Sequence, residues 1–101
     1  MSSVLKGLTQ EQTDFLVKTI RGSFPGVEIL AFGSRVHGTP KKYSDLDICL
    51  KDAQALNLGQ WAKLDEVLAE SSLPILVDIS DYHLLSEEFR QHVLKTGVSL
   101  L

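Results

Sequence analysis

The chain is poor in cysteine and proline. Its 101 residues include one cysteine and three prolines. A single cysteine excludes an intramolecular disulfide. That residue, Cys49, stands between Ile48 and Leu50 in an apolar run. Such a position is typical of a small core side chain rather than of a nucleophile.

Long apolar segments are also absent. No run approaches the roughly 20 residues that a membrane-spanning helix needs, and residues 1–9 lack the apolar core of a signal peptide. We therefore predict a cytoplasmic protein with no membrane partner. Since 44% of the residues are hydrophobic and no repeat or linker divides the chain, we expect one domain over residues 1–101.

Positive charge is scarce as well. Ten Lys and Arg residues stand against thirteen acids, which gives a net charge of −3. A nucleic-acid-binding surface normally carries a broad basic patch, so we predict no nucleic-acid partner. One segment is locally basic, with Arg35, His37, Lys41 and Lys42. It is either a solvated turn around Pro40 or a contact for a triphosphate or an acidic partner.

Capping signals and apolar spacing predict three helices. The first begins at the capping box of Thr9 with Gln12 and ends within residues 22–26, where two glycines and a proline stand. The second begins at Asn57 or Gly59. The predicted core residues of these helices are Phe15, Leu16, Ile20, Phe24, Trp61, Leu64, Val67 and Leu68.

The third helix is predicted from Ser86 to Gly97, with acids in its first turn. Four strands are predicted, at residues 27–32, 45–50, 73–79 and 98–101. This order of elements predicts an α/β (α+β) fold in which a small mixed β-sheet is packed with helices.

The C-terminal segment is unusually apolar for so short a chain. It contains Val98, Leu100 and Leu101, and the predicted helix before it carries three more apolar residues, Phe89, Val93 and Leu94. These residues form either a plain core helix with an edge strand or an interface in a hetero- or homo-oligomer.

The most informative stretch joins a Gly-Ser turn to two alternating aspartates. Gly33 and Ser34 follow the first predicted strand, and Asp45 and Asp47 open the second. Side chains at i and i+2 of a strand point the same way, roughly 6.5–7 Å apart, so both carboxylates can reach one cation or bridge two. Mg²⁺ prefers such oxygens together with those of a triphosphate.

The turn supplies the complementary half of such a site. Gly33 has no Cβ, and backbone N–H groups with the Ser34 hydroxyl can donate to phosphate oxygens. Either motif alone is more typical of an ordinary turn or a solvated strand. Their combination favours metal-dependent nucleotidyl transfer.

These motifs resemble the signature of the DNA polymerase β-type nucleotidyltransferase superfamily, especially its minimal nucleotidyltransferase branch. That branch has Gly-Ser-x-Ala-Arg-Gly, five residues, then Ser-Asp-x-Asp. The matching residues are Gly33, Ser34, Gly38, Ser44, Asp45 and Asp47. The spacing is intact, but Val36 and His37 replace the usual Ala and Arg. The resemblance implies the nucleotidyltransferase fold.

The resemblance also implies roles for three acids. In the family, two carboxylates hold metals, and a third joins them and can activate the attacking hydroxyl. Asp45 and Asp47 match the first two, and Asp78 matches the third. Asp81 and Asp65 are weaker matches. Asp78 is preferred because apolar residues flank it, where an unpaired charge is costly unless it faces a site.

By the same resemblance, the nucleotide-binding residues are Gly33, Ser34, Arg35 and Ser44, and the cofactor is Mg²⁺ with ATP as substrate. Small relatives of this kind pair with a helical HEPN-type toxin, as its antitoxin, and several transfer AMP to it. The resemblance thus implies an enzyme that places AMP on a hydroxyl of a partner protein. Two alternatives remain open: an inactive antitoxin that acts by direct binding, and a nucleotide-binding regulatory subunit.

Overall fold

A computed structural model describes residues 5–38, 45–52, 55–71, 73 and 75–100. The predicted order of helices and strands is confirmed, with a short helix and a 3₁₀ helix added. The elements are α1 (Gln10–Ser23), β1 (Glu28–Phe32), α2 (Ser34–His37), β2 (Leu46–Lys51), α3 (Leu58–Ala69), β3 (Val77–Asp81), the 3₁₀ helix (Tyr82–Leu84), α4 (Glu87–Thr96) and β4 (Val98–Ser99).

The four strands form one sheet in the order β3-β2-β1-β4. β1 runs antiparallel to both β2 and β4, while β2 and β3 are parallel. The predicted mixed sheet is therefore confirmed. Its register places Asp47 between Phe32 on β1 and Asp78 on β3.

The helix starts follow from local capping. The side chain of Thr9 accepts a hydrogen bond from the Gln12 backbone, and the Gln12 side chain returns one to Thr9, which confirms the predicted capping box. Asn57 caps α3 through the backbone N–H of Gln60, so Asn57 rather than Gly59 starts that helix. Ser86 caps α4 as predicted.

Alternation along the strands gives the sheet two apolar faces. One face packs against α1 and α3, and its buried residues include Ile29, Ala31, Leu46, Ile48, Leu50, Leu16, Ile20 and Leu64. The other face holds Leu30, Phe32 and Cys49 against Val93 of α4. Asp47 pairs with Phe32 and alternates with Ile48, so it lies on the α4 face.

Two predicted core positions and one predicted strand start are wrong. Phe15 and Val67 are 42% and 40% exposed, because α1 and α3 each bury a narrower stripe than their apolar residues cover. The predicted strand at 73–79 begins later, at Val77, since pairing with β2 starts there. Leu76 precedes that pairing and is 76% exposed.

The C-terminal segment is divided between core and surface. Val93 and Leu100 are buried, which places them in the core rather than at an interface. Phe89 and Leu94 are exposed, and Leu101 lies outside the described residues. Across the described ranges, no helix is long and apolar enough to span a bilayer.

Candidate functional site

Gly33 brings the backbone against the carboxylate of Asp47. It links β1 to α2 with φ 84° and ψ −161°, a conformation that residues with a Cβ rarely adopt. A Cβ built at Gly33 would lie 2.5 Å from Asp47 Oδ2. The glycine is therefore required twice, by its backbone angles and by the space that the carboxylate occupies.

The three predicted acids lie on one face of the sheet. Asp47 pairs directly with Asp78 across the parallel β2–β3 ladder, where neighbouring strands are about 4.8 Å apart. Asp45 stands two residues before Asp47, immediately ahead of β2. Asp47 is half-buried, whereas Asp45 and Asp78 are exposed. We call Asp45, Asp47 and Asp78 the acidic row; its two outer members are open to solvent.

Electrostatics reflect this proximity. Burial, and then the negative charges of Asp78 and Asp45, raise the pKa of the Asp47 carboxyl above its usual value. A bound cation would reduce the repulsion between these neighbouring carboxylates.

The donors of the acidic row suit Mg²⁺, because they are all hard carboxylate oxygens, and the missing Cβ of Gly33 leaves the Asp47 oxygen its space. Asp45, Asp47 and Asp78 are the residues that would hold the ion. However, the described part of the chain contains no group of three His, Cys, Asp or Glu side chains already arranged around a common metal position. The carboxylates are thus neighbours that need side-chain adjustment to share an ion.

Of the predicted phosphate-binding residues other than Gly33 and Arg35, Ser34 is described by the structure and Ser44 is not. Ser34 is half-buried and opens α2, directly after Gly33, which has no side-chain cap. The first N–H groups of a helix lack intrahelical acceptors and suit phosphate oxygens. Ser44, with Lys41 and Lys42, lies outside the described residues.

Arg35 is 3% exposed, and its guanidinium has a structural contact. Nη1 donates to the carbonyl oxygen of Lys6 at 2.8 Å, and the Lys6 N–H donates to the Arg35 carbonyl oxygen at 2.8 Å. The segment before α1 is therefore held to α2 by this residue. A direct phosphate contact of the Arg35 side chain stays a prediction.

The alternative acids are separated from the row. Asp81 is the last residue of β3 and the N-cap of the 3₁₀ helix, and it pairs with Leu50 on the α1/α3 face. Its carboxylate is buried and accepts hydrogen bonds from the N–H groups of Leu56 and His83, at 2.9 and 3.0 Å. Asp65 is exposed on α3. Asp78 is exposed, so its position between apolar residues does not bury it as predicted, yet it is the acid that pairs with Asp47.

An aromatic group next to the acidic row was missed by sequence reasoning. Phe32, the β1 partner of Asp47, contacts Phe89 and His92 of α4, with ring centroids 5.7 and 6.5 Å away and nearly perpendicular planes. Phe89 and His92 are themselves 5.7 Å apart. In the sequence, the only local indication that these two rings meet is their spacing of three residues on a predicted helix.

Cys49 occupies the next row of the same face and is fully buried. Burial, followed by the charges of Asp81 and Glu28, raises the pKa of its thiol to about 11. A protonated, inaccessible thiol is inert. The prediction of a core role for Cys49 is confirmed.

Comparisons with known proteins identify relatives of this chain. Residues 17–101 match the family described as polymerase beta, nucleotidyltransferase. The chain is 42% identical over 84 residues to the "probable protein adenylyltransferase MntA" of Haemophilus influenzae, which covers 82% of this chain and 74% of that protein.

Solved structures share the fold. One is a toxin–antitoxin crystal structure with AMP-PNP, with a TM-score of 0.74 and 31% identity over 88% of this chain and 72% of that one. Another contains a tri-AMPylated Shewanella oneidensis HEPN toxin with an MNT antitoxin; its TM-score is 0.69, with 29% identity over 93% and 72% of the two chains. Because the family match spans most of the residues and these relatives share its sheet and helices, the chain belongs to the polymerase beta nucleotidyltransferase family.

Proposed function

We propose that the chain is a single minimal nucleotidyltransferase domain over residues 1–101, which uses Mg²⁺ and transfers AMP from ATP to a hydroxyl of a partner protein. One observation carries the proposal: the half-buried Asp47 carboxylate lies against the Gly33 backbone with Asp78 beside it on the next strand. Nucleotidyl transfer needs this pairing of a phosphate-binding turn with acids that hold metal.

The relatives support the identity of the acceptor. One is named as a probable protein adenylyltransferase, and one structure holds an AMPylated HEPN toxin with its antitoxin. We therefore propose a HEPN-type helical protein as the partner, with this chain as its cytoplasmic antitoxin in a hetero-oligomer.

In the proposed reaction, the acidic row binds the metal and the Gly33–Ser34 turn binds phosphate. Asp45, Asp47 and Asp78 would hold Mg²⁺, which when bound neutralises the triphosphate and the charge that develops during in-line displacement. The Gly33–Ser34 turn holds phosphate oxygens, with Arg35 and Ser44 as further predicted nucleotide ligands.

Asp78, the outermost acid, accepts the proton of the acceptor hydroxyl. The hydroxyl oxygen then forms a bond to the α-phosphorus while the bond from that phosphorus to the bridging oxygen breaks. Pyrophosphate leaves with the electron pair, and AMP remains on the partner.

The test is label transfer. We would incubate the full chain with Mg²⁺, an extract of the cells it comes from and ATP labelled at either the α- or the γ-phosphate. We expect one protein band that is labelled from the α-phosphate and not from the γ-phosphate. Asp47→Asn should weaken this labelling at least about 100-fold, as expected when a metal ligand is lost. Equal labelling by wild type and Asp47→Asn would reject the proposed site.

A second candidate is an antitoxin that acts by contact alone. It is favoured by His37, which lacks the permanent charge and planar fork of the Arg that is usual at this position. In this case Asp47→Asn would still protect cells from the partner toxin, and no label would be transferred by either protein.

A further inference from the structure

The exposed rings of Phe89 and His92 stand beside the acidic row with no described function. Phe89 is 39% exposed and His92 is exposed, although both contact the nearly buried Phe32. Phe32 pairs with Asp47 in the sheet. Phe32 therefore connects the two rings on α4 to the strand that carries Asp47.

The two rings border a shallow cavity of about 380 Å³, which is lined by Ser86, Glu88, Phe89 and His92. Its size is within the usual range for small-ligand sites. The cavity combines aromatic surface with the polar groups of Ser86 and Glu88. A nucleic-acid base needs both, since its faces stack on aromatic rings and its edge carries hydrogen-bonding groups.

We propose that Phe89 and His92 form the subsite for the base of a purine nucleoside triphosphate. The assignment rests on the proposed function, because the acidic row must hold the triphosphate for the base to reach these rings. The ring centroids of Phe89 and His92 are 5.7 Å apart and their planes meet at 47°, so the base can stack on one ring while its edge contacts the other. The exposed carboxylate of Glu88 can accept hydrogen bonds from N–H groups on the base edge. The Ser86 hydroxyl already accepts from the Phe89 N–H, and it can still donate its proton to a ring nitrogen of the base.

Edge contacts with Phe32 hold the rings in place. The planes of Phe89 and Phe32 meet at 76°, and those of His92 and Phe32 at 89°. Such contacts restrict the rings before a ligand arrives, so less conformational entropy is lost on binding. Phe32 thus acts as a positioning residue for the base subsite.

The experiment measures Mg²⁺-dependent binding by calorimetry, with ATP, CTP and inorganic tripolyphosphate as probes. We expect wild type to bind ATP about tenfold more tightly than tripolyphosphate, and CTP with an intermediate affinity, because base stacking adds to phosphate binding. Phe89→Leu, which keeps an apolar contact with Phe32, should remove most of the advantage of ATP and leave tripolyphosphate affinity within about twofold.

Phe15→Leu is the matched control, because Phe15 is a similarly exposed phenylalanine on α1, on the opposite face of the sheet. It should leave every affinity unchanged. His92→Leu is the second variant, and as an exposed substitution it should fold normally while also reducing the ATP advantage.

The outcomes separate this inference from the proposed function. Unchanged ATP affinity in both Phe89→Leu and His92→Leu would overturn the base subsite and leave the acidic row intact. Equal affinity of wild type for ATP and tripolyphosphate would do the same. If wild type binds none of the three probes, the proposed function itself fails and the subsite with it.

Discussion

At the scale of single residues, Gly33 connects the sequence motif to the chemistry most directly. A methyl group added to the Cα of Gly33 would lie only 2.5 Å from Asp47 Oδ2. The glycine of the motif is therefore not only a turn former. It sets how closely the backbone approaches the carboxylate that the metal needs.

We expect Gly33→Ala to lower nucleotidyl transfer at least about tenfold, because the new methyl displaces the Asp47 carboxylate, while the positive φ costs about 1–3 kcal/mol of stability. The measurements are label transfer and thermal unfolding. Gly26→Ala is the matched control, since Gly26 has a similar φ of 82° but nothing within 4 Å of a built Cβ. If the two variants lose activity equally, the contact with Asp47 is not what matters.

The residue scale also shows the limits of sequence reasoning. The i, i+2 rule was sufficient to bring Asp45 and Asp47 to one side, since it depends only on extended backbone. The apolar neighbours of Asp78 predicted a buried carboxylate, but Asp78 is exposed and pairs with Asp47. Strand register, which the sequence does not state, put it there.

At the scale of secondary-structure elements, the short helix α2 depends on a contact from far along the chain. Arg35 donates from its buried guanidinium to the carbonyl of Lys6, and Gly7, with φ 89°, lies against that guanidinium. The segment before α1 and the helix after the Gly-Ser turn are thereby fastened together. A basic residue next to a phosphate motif was predicted as a ligand, but its described contact is structural.

We expect Arg35→Met to lower the melting temperature by about 5–10 °C, because a part-buried hydrogen bond to the Lys6 carbonyl loses its charged donor, at a cost of about 1–3 kcal/mol. ATP affinity of the folded protein should change by less than about threefold if the side chain is only structural. Arg21→Met is the control, since exposed Arg21 also donates to a backbone carbonyl, that of Leu100. A large loss of ATP affinity without loss of stability would instead support the phosphate role.

Helix starts were the most predictable elements. Thr9, Asn57 and Ser86 cap α1, α3 and α4, because a capping hydrogen bond joins residues two or three positions apart and is local in sequence. The extent of the buried stripe was less predictable. Phe15 and Val67 satisfy the helical spacing but are exposed, since only the sheet decides how wide a stripe it covers.

At the scale of the whole molecule, the sheet separates stability from chemistry. The α1/α3 face is almost entirely apolar, whereas the α4 face carries the acidic row beside its smaller apolar cluster. Asp47 is the member of the row that the fold partly buries, and burial and its acidic neighbours raise its pKa. The metal-free protein therefore carries an electrostatic cost at neutral pH.

The sign of that cost gives a prediction. The stability associated with the raised pKa of Asp47 is complete below its unfolded value of 3.8 and is lost as pH rises through the folded-state pKa. At pH 7 without Mg²⁺, we expect Asp47→Asn to melt at or above the temperature of wild type, and this advantage to shrink on acidification. Mg²⁺ should raise the melting temperature of wild type but not that of Asp47→Asn.

Thermal unfolding with and without Mg²⁺, at several pH values, provides the measurement. Asp65→Asn is the control for the loss of one negative charge, because Asp65 is exposed on α3 and outside the acidic row. A metal-free wild type that is clearly more stable than Asp47→Asn at pH 7 would contradict the electrostatic argument.

The sequence by itself determined the order of the main helices and strands, the caps of α1, α3 and α4, and the spacing of the Gly-Ser and Asp-x-Asp motifs. These are properties of neighbouring residues, so local propensity and hydrogen bonding specify them. Only the tertiary structure decided that Asp78 lies beside Asp47, that Arg35 binds Lys6, and that Phe89 and His92 meet Phe32. Those contacts join distant segments, and strand register and helix packing, rather than local preference, bring such segments together.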